Sequence, residues 1–180
     1  MKPIIVNLFG GPGSGKSTGA AFVFANLKIH GVNCELVTEF AKDKTWEHNM
    51  MALNNQAYVF GKQFYRISRC EDQVDVIVTD SPIALSTIYN TNEKLGDTFN
   101  KMVIDVFNSY NNLNYLLLRT KPYNPVGRNQ TESESDDLGR KIEKMLQDNL
   151  IPFCYTTGDA DGYSSITKEV LNKIAELKEV

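Results

Sequence analysis

The chain has 180 residues, of which 42% are hydrophobic and 10% aromatic, which is enough apolar material for one compact core but too little length for two average domains. The formal net charge of −3 at pH 7 provides no overall positive field, so binding to nucleic acid is disfavoured. No apolar run reaches the roughly 18 residues of a membrane helix, and the first residues lack the apolar core of a signal peptide. We therefore expect one cytoplasmic domain over residues 1–180.

Short apolar runs bounded by turn residues alternate with helix-length amphipathic stretches along the chain. The apolar runs predict five buried strands of a parallel sheet, at residues 3–9, 34–37, 74–79, 115–118 and 153–156. The longer stretches predict helices at residues 16–30, 54–69, 95–110, 135–150 and 163–180. The predicted fold class is α/β, a three-layer P-loop NTPase domain with a mostly parallel five-stranded sheet, and ligands should lie at the C-terminal ends of its strands.

The first predicted strand is followed by GGPGSGKST, which satisfies the phosphate-binding pattern GxxxxGK[ST] after a strand and at the start of a helix. Glycines let backbone N–H groups surround phosphates, the lysine reaches the outer phosphates, and the hydroxyl holds Mg²⁺. A glycine turn that only joined strand to helix would not need lysine and serine at these positions. The residues predicted to bind ATP are Gly10, Gly11, Pro12, Gly13, Ser14, Gly15, Lys16, Ser17 and Thr18.

Two other predicted strands are followed by carboxylates. Asp80 follows the third strand in the manner of a Walker B aspartate and is predicted to hold Mg²⁺ together with Ser17. The sequence Asp80-Ser81-Pro82 is also typical of a helix start, and both roles are compatible. Glu39 follows the second strand and is the first choice for the catalytic base, with Asp80 as the other candidate. The alternative for Glu39 is an exposed glutamate in a charged loop.

The polar segment 119–133 contains two prolines and a glycine between a strand and a helix, which predicts a lid over the site. Arg119 and Arg128 are its candidates for phosphate contact, because a guanidinium stays charged and can bind two oxygens. Arg128 is the stronger candidate and is predicted to act in catalysis with Lys16, by offsetting charge on the transferring phosphoryl group. The alternative for Arg119 is a surface arginine at a strand end.

These motifs resemble, over nearly the whole chain, the P-loop nucleoside and nucleotide kinases, which include deoxynucleoside kinases, thymidylate kinase and the ribosylnicotinamide kinase domain of bacterial NAD regulators. The resemblance implies that Glu39 contacts the accepting hydroxyl and that QAYVFGKQFYRISR carries a base-reading glutamine, here Gln56. The family's arginine after the third strand is absent, and Arg66 or Arg69 is implied to replace it. TDSPIALS together with GRNQTE also resembles small kinase-like ATPases encoded by phages.

Several aromatic residues fall near the predicted acceptor site, and most of them should pack in the core. Trp46 and Tyr58 are the two predicted to contact a substrate. The loop 157–161 after the last strand is a candidate for the adenine pocket, and an ordinary turn rich in glycine and aspartate explains it equally well.

The leading hypothesis is an enzyme that uses ATP and Mg²⁺ to phosphorylate a hydroxyl or monophosphate of a nucleoside-like small molecule. Two alternatives stay open. One is a kinase acting on a modified base in DNA, which would make nucleic acid a substrate, and the other is an ATPase switch without a small-molecule acceptor. No membrane partner is predicted, and a homodimer is compatible with the sequence.

Overall fold

The computed structural model describes residues 2–126 and 130–178, and at its centre is a five-stranded sheet. The strands are β1 (Ile4–Phe9), β2 (Cys34–Val37), β3 (Val76–Thr79), β4 (Asn111–Leu118) and β5 (Cys154–Thr157). They lie in the order β2-β3-β1-β4-β5, and all four strand pairs are parallel. The predicted α/β fold with a five-stranded sheet is therefore confirmed.

Helices connect these strands and cover both faces of the sheet. They are α1 (Lys16–Ile29), α2 (Phe40–Trp46), α3 (Met50–Leu53), α4 (Gln56–Ser68), α5 (Ser86–Tyr89), α6 (Gly96–Asn108), α7 (Glu132–Asp148) and α8 (Ala160–Lys178), with a 3₁₀ turn at Ile83–Leu85. Within the described ranges, no helix is both long enough and apolar enough to cross a membrane.

Alternate side chains of β1 enter two separate cores. Ile5 and Phe9 pack with residues of α4, α6 and α7, whereas Val6 and Leu8 pack with residues of α1 and α8. Every residue of β1 is buried, as expected of a central parallel strand covered on both faces. This alternation produces the three layers and places the C-terminal end of β1 at the middle of one sheet edge.

Buried amide groups align β1 with β4. Asn7 is 1% exposed, and its Nδ2 donates to Oδ1 of Asn112 at 2.8 Å and of Asn114 at 3.0 Å. A buried amide without a partner is costly, so a shift of register by one residue would be penalised here. These asparagines also explain why β4 begins at Asn111, four residues before the predicted strand, since buried polar residues do not produce an apolar run.

Other boundaries differ from the predicted ones for local reasons. No element was predicted for residues 40–53, where the structure has α2 and α3, because both helices are short. Helix α7 begins at Glu132 instead of residue 135, because Thr131 and Glu134 form a capping box. The backbone N–H of Thr131 donates to Glu134 Oε2 at 2.7 Å, and that of Glu134 donates to Thr131 Oγ1 at 3.3 Å. The last residues of the predicted lid are therefore helical.

The core beneath α6 can be tested with a matched pair of substitutions. Phe107 is 1% exposed, and its ring meets that of Phe9 edge to face at 6.0 Å. We expect Phe107→Ala to lower the free energy of unfolding by about 3–5 kcal/mol, because it leaves a cavity. Met102 lies on the same helix and is 43% exposed, so Met102→Ala should change the free energy of unfolding by less than about 0.5 kcal/mol. Urea denaturation measures both, and equal effects would contradict the burial of Phe107 in the core beneath α6.

Candidate functional site

The loop between β1 and α1 has the geometry of a phosphate cradle, and residues 10–17 are called the P-loop below. Gly15 has φ of 97°, in the left-handed region that favours glycine, and it leads directly into α1. The first turn of α1 has no acidic residue, so nothing there offsets the positive end of the helix dipole. Lys16 Nζ donates to the carbonyl oxygens of Gly10 at 2.7 Å and Gly11 at 3.1 Å, which holds the ammonium group over the loop.

Two carboxylates follow β2 and β3, the two strands on one side of β1. Asp80 is 4% exposed, and its buried Oδ1 accepts no hydrogen bond from the described residues. Glu39 occupies the N-cap position of α2 without capping it through its side chain. Burial raises the pKa of Glu39, the charge of Lys16 opposes this shift, and the charge of Asp80 adds to it. The fold therefore brings Glu39, Lys16 and Asp80 within electrostatic range of one another.

The helix-start interpretation of Asp80 does not describe its side chain. A 3₁₀ turn does follow at Ile83–Leu85, but its N-cap position is occupied by Pro82, two residues after the aspartate. The backbone N–H of Ser81 bonds instead to Thr79 Oγ1 at 3.1 Å. The carboxylate of Asp80 thus remains available for a ligand at the sheet edge.

The donor set at this edge fits Mg²⁺. A buried carboxylate oxygen with no hydrogen-bond partner needs a cation or a donor, and the Ser17 hydroxyl lies in the first turn of α1. Among residues 2–126 and 130–178, there is no group of three or more His, Cys, Asp or Glu side chains that could hold a metal ion by itself. A magnesium ion here would therefore depend on Ser17, Asp80, water and the phosphates of the nucleotide.

Tyr89, at the end of α5, also lies near Glu39, and it was missed in the sequence. Tyr89 is 36% exposed; partial burial, with a further contribution from the charge of Glu39, raises its pKa to about 12. Its hydroxyl therefore stays protonated at neutral pH and can donate a hydrogen bond. No local pattern marks Tyr89, because its nearness to Glu39, 50 positions earlier in the chain, depends on the tertiary fold.

Two residues of α4 brace the turn between β2 and α2. Gln63 Oε1 accepts the backbone N–H of Phe40 at 2.9 Å. Arg66 Nη1 donates to the carbonyl oxygen of Thr38 at 3.0 Å, and Arg66 Nη2 lies 2.6 Å from Asp43 Oδ2. Arg66, which the resemblance implied as the substitute for the family arginine, thus supports the backbone that presents the Glu39 side chain, and its contact with a substrate stays a prediction. Gln63 was not singled out in the sequence, although it lies in the same helical stretch.

The other residues predicted for the acceptor have separate environments. Gln56 is 6% exposed, and its Nε2 donates to the carbonyl oxygen of Leu53 at 2.8 Å. Trp46 and Tyr58 are 58% and 40% exposed, and Arg69 is exposed beyond the end of α4. Contact of these four residues with a substrate stays a prediction.

Arg119 connects the two ends of the predicted lid. Its Nη2 lies 2.6 Å from Asp136 Oδ1 and 3.1 Å from Glu132 Oε1, both in the first turns of α7. Its guanidinium group also lies over the ring of Tyr123, 5.5 Å from the centroid. Arg128 lies outside the described residues, and its catalytic role stays a prediction.

A cavity of about 160 Å³ lies beside the P-loop. It is lined by P-loop residues, the first lid residues and Gly158, so the loop predicted for the adenine pocket does border the cradle. A larger open groove of about 430 Å³ lies on α4 between Tyr58 and Tyr65. That groove has no P-loop residue and no carboxylate in its lining, so the smaller cavity is the candidate for the nucleotide.

Comparisons with known proteins agree with this geometry. The model of a family described as an AAA domain matches residues 5–161. The chain belongs to this AAA-domain family. A search of the curated proteins finds none that matches the sequence of this AAA domain.

Solved structures share the fold of this AAA domain. Deoxyadenosine kinase from M. mycoides with bound dATP is 17% identical with a TM-score of 0.58, over 93% of this chain and 99% of that chain. The same kinase with bound dCTP is 16% identical with a TM-score of 0.56, over 94% and 99%. At these identities the likeness establishes the fold. The predicted resemblance to small P-loop nucleoside kinases is confirmed at that level.

The contact between Gly158 and the P-loop can be tested by substitution. A Cβ atom at Gly158 would overlap the carbonyl oxygen of Ser14, whereas one at Gly61, on α4, would meet nothing within 4 Å. We expect Gly158→Ala to weaken ATP binding about tenfold, because the two loops must separate. Gly61→Ala should leave ATP binding unchanged and stabilise the fold slightly. Isothermal titration calorimetry measures both affinities, and wild-type affinity in Gly158→Ala would show that this packing does not shape the site.

Proposed function

We propose that this protein transfers the γ-phosphoryl group of ATP, with Mg²⁺, to a hydroxyl or phosphate group of a nucleoside-like small molecule. The observation that carries the proposal is the grouping of Glu39, Lys16 and Asp80, with burial raising the pKa of Glu39. A nucleotide-dependent switch would also need the cradle and the metal ligands, so these features do not distinguish it from a kinase. A kinase needs in addition a carboxylate that can receive a proton, and Glu39 is a half-buried carboxylate near the cradle.

In the proposed reaction, Lys16 and the N–H groups of the P-loop hold the outer phosphates of ATP. Ser17 and Asp80 would hold Mg²⁺, which offsets phosphate charge when bound. A bond forms between the acceptor oxygen and the γ-phosphorus, and the bond from that phosphorus to the ADP oxygen breaks. Glu39 takes the proton of the accepting hydroxyl. Arg128 keeps its predicted role of offsetting charge on the transferring group.

A nucleoside-type acceptor is the first class to test. The deoxyadenosine kinases that share the fold were solved with dATP and with dCTP, which supports nucleosides and their phosphates as ligands. Tyr89 supports the same class, because its protonated phenol lies near Glu39, the proposed catalytic base, and can donate a hydrogen bond to a sugar oxygen. A DNA substrate has less support, since the net charge of the chain is −3.

The raised pKa of Glu39 sets the expected pH dependence. As pH falls through this raised pKa, the base becomes protonated, so kcat/KM should fall at a pH above the ordinary glutamate pKa. For stability, the folded state binds the Glu39 proton more tightly than the unfolded state does. The stability contributed by Glu39 is therefore present at low pH and is lost as pH rises from the unfolded to the folded pKa.

The substitution Glu39→Gln tests the base and the pH argument together. We expect ATP binding to persist and phosphoryl transfer to fall by about 10²- to 10⁴-fold, because the proton acceptor is gone. Tm at neutral pH should rise, because a buried charge is removed. Steady-state kinetics, calorimetric titration and thermal unfolding measure these effects. If Glu39→Gln transfers normally while Asp80→Asn is inactive with ATP still bound, Asp80 is the base.

The function itself is tested by incubating the protein with Mg²⁺ and ATP labelled at the γ-phosphate. Acceptors should include ribonucleosides, deoxynucleosides, their monophosphates, nicotinamide riboside, and single-stranded and duplex DNA. A labelled small molecule, absent with Lys16→Ala, would establish the kinase and identify its acceptor. Labelled DNA would favour a kinase acting on DNA, and free phosphate with no labelled acceptor would favour an ATPase switch.

A further inference from the structure

We propose that the hydroxyl groups of Ser135 and Tyr163 are positioning groups that hold the P-loop in the conformation that receives a triphosphate. The inference rests on the nucleotide binding of the proposed function. Neither residue belongs to the P-loop motif, and they come from two different helices, α7 and α8. Each donates a hydrogen bond to a carbonyl group of the loop.

Tyr163 approaches the loop from α8. It is 2% exposed, and its hydroxyl donates to the carbonyl oxygen of Gly15 at 3.0 Å. The ring is held by Phe22, with centroids 5.7 Å apart, and by Gly19, where a Cβ would lie 2.6 Å from the ring. Because packing holds the ring, the position of the hydroxyl is set by the core of the protein and not by the loop.

Ser135 approaches the loop from the first turn of α7. It is 3% exposed, and its Oγ donates to the carbonyl oxygen of Pro12 at 2.5 Å. The backbone also packs closely here, since a Cβ on Gly11 would overlap the Ser135 carbonyl oxygen. Helix α7 begins within the last residues of the predicted lid, so this contact joins the end of the lid to the P-loop.

Peptide planarity connects these two bonds to phosphate binding. The carbonyl group of one residue and the N–H group of the next lie in the same rigid plane and point in opposite directions. A donor on the carbonyl of Pro12 therefore orients the N–H of Gly13, and a donor on the carbonyl of Gly15 orients the N–H of Lys16. The Gly15 oxygen also accepts the N–H of Gly19 at 2.8 Å, so two donors hold that plane.

Holding these two peptide planes favours the P-loop conformation that binds a triphosphate. N–H groups that converge on an empty cradle repel one another, and the loop would relax without outside restraint. Restraint applied by the folded core means that less conformational freedom is lost when a triphosphate binds. Loss of either hydroxyl should therefore weaken the binding of any ligand that carries the phosphate chain, whether or not it carries a base.

A matched control is available on α8. Thr167 is 6% exposed, and its hydroxyl donates to the carbonyl oxygen of Tyr163 at 2.9 Å, within the helix. Thr167→Val removes a buried hydroxyl of the same helix without removing a donor from the P-loop. Tyr163→Phe and Ser135→Ala keep most of the packing and remove only the hydroxyl groups of interest.

The test measures the Kd of ATP and of inorganic tripolyphosphate, each with Mg²⁺, by isothermal titration calorimetry, with Tm measured separately. We expect Tyr163→Phe and Ser135→Ala each to raise both Kd values about 3- to 10-fold. Thr167→Val should lower Tm and leave both Kd values unchanged. Tripolyphosphate has no base or sugar, so its response reports on the loop alone.

Three outcomes would overturn the inference. Wild-type Kd values in Tyr163→Phe and Ser135→Ala would show that the two bonds are structural only. Weaker binding of ATP with unchanged binding of tripolyphosphate would show contact with the base or sugar in place of positioning. Failure of the wild-type protein to bind either ligand would overturn the proposed function, and this inference with it.

Discussion

A phosphate-binding loop turns its backbone N–H groups inward, so its carbonyl groups face outward and need donors from the surrounding protein. Here three side chains supply these donors. Lys16 reaches back to two carbonyl groups at the start of the loop, Ser135 donates to a third, and Tyr163 donates to a fourth. Because these donors lie on α1, α7 and α8, the shape of the cradle depends on the packing of the whole domain.

The topology of the sheet brings the reactive groups to the cradle. Strands β2, β3 and β1 are adjacent and parallel, so the residues that follow them meet at one edge. Glu39, Asp80 and Lys16 are the charged residues that follow these strands. Burial opposes the ionisation of Glu39, and the nearby charge of Asp80 adds to this effect, so the pKa of Glu39 is raised although Lys16 attracts its charge. The arrangement opposes stability at neutral pH, and it is the one that the proposed transfer of a proton to Glu39 needs.

Much of the fold was predictable, because apolar runs and helical periodicity follow directly from burial on two faces. The start of β4 was not, since the amide oxygens of Asn112 and Asn114 accept from Asn7 of β1, a strand that is distant in the sequence. The first turn of α7 carried a readable signal, the capping pair Thr131 and Glu134, which is visible in the sequence. Helices α2 and α3, of seven and four residues, carried none, because short helices depend on tertiary packing more than on propensity.

The sequence by itself determined the P-loop, the alternation of strands and long helices along the chain, and the carboxylates that follow two strands, because each is encoded by neighbouring residues. The tertiary structure alone decided that Arg66 and Gln63 brace the Glu39 turn, that Tyr89 lies near Glu39, and that Ser135 and Tyr163 hold the cradle. These contacts join residues more than 20 positions apart, in one case more than 140. No local pattern encodes such pairs, because they exist only once the helices have packed on the sheet.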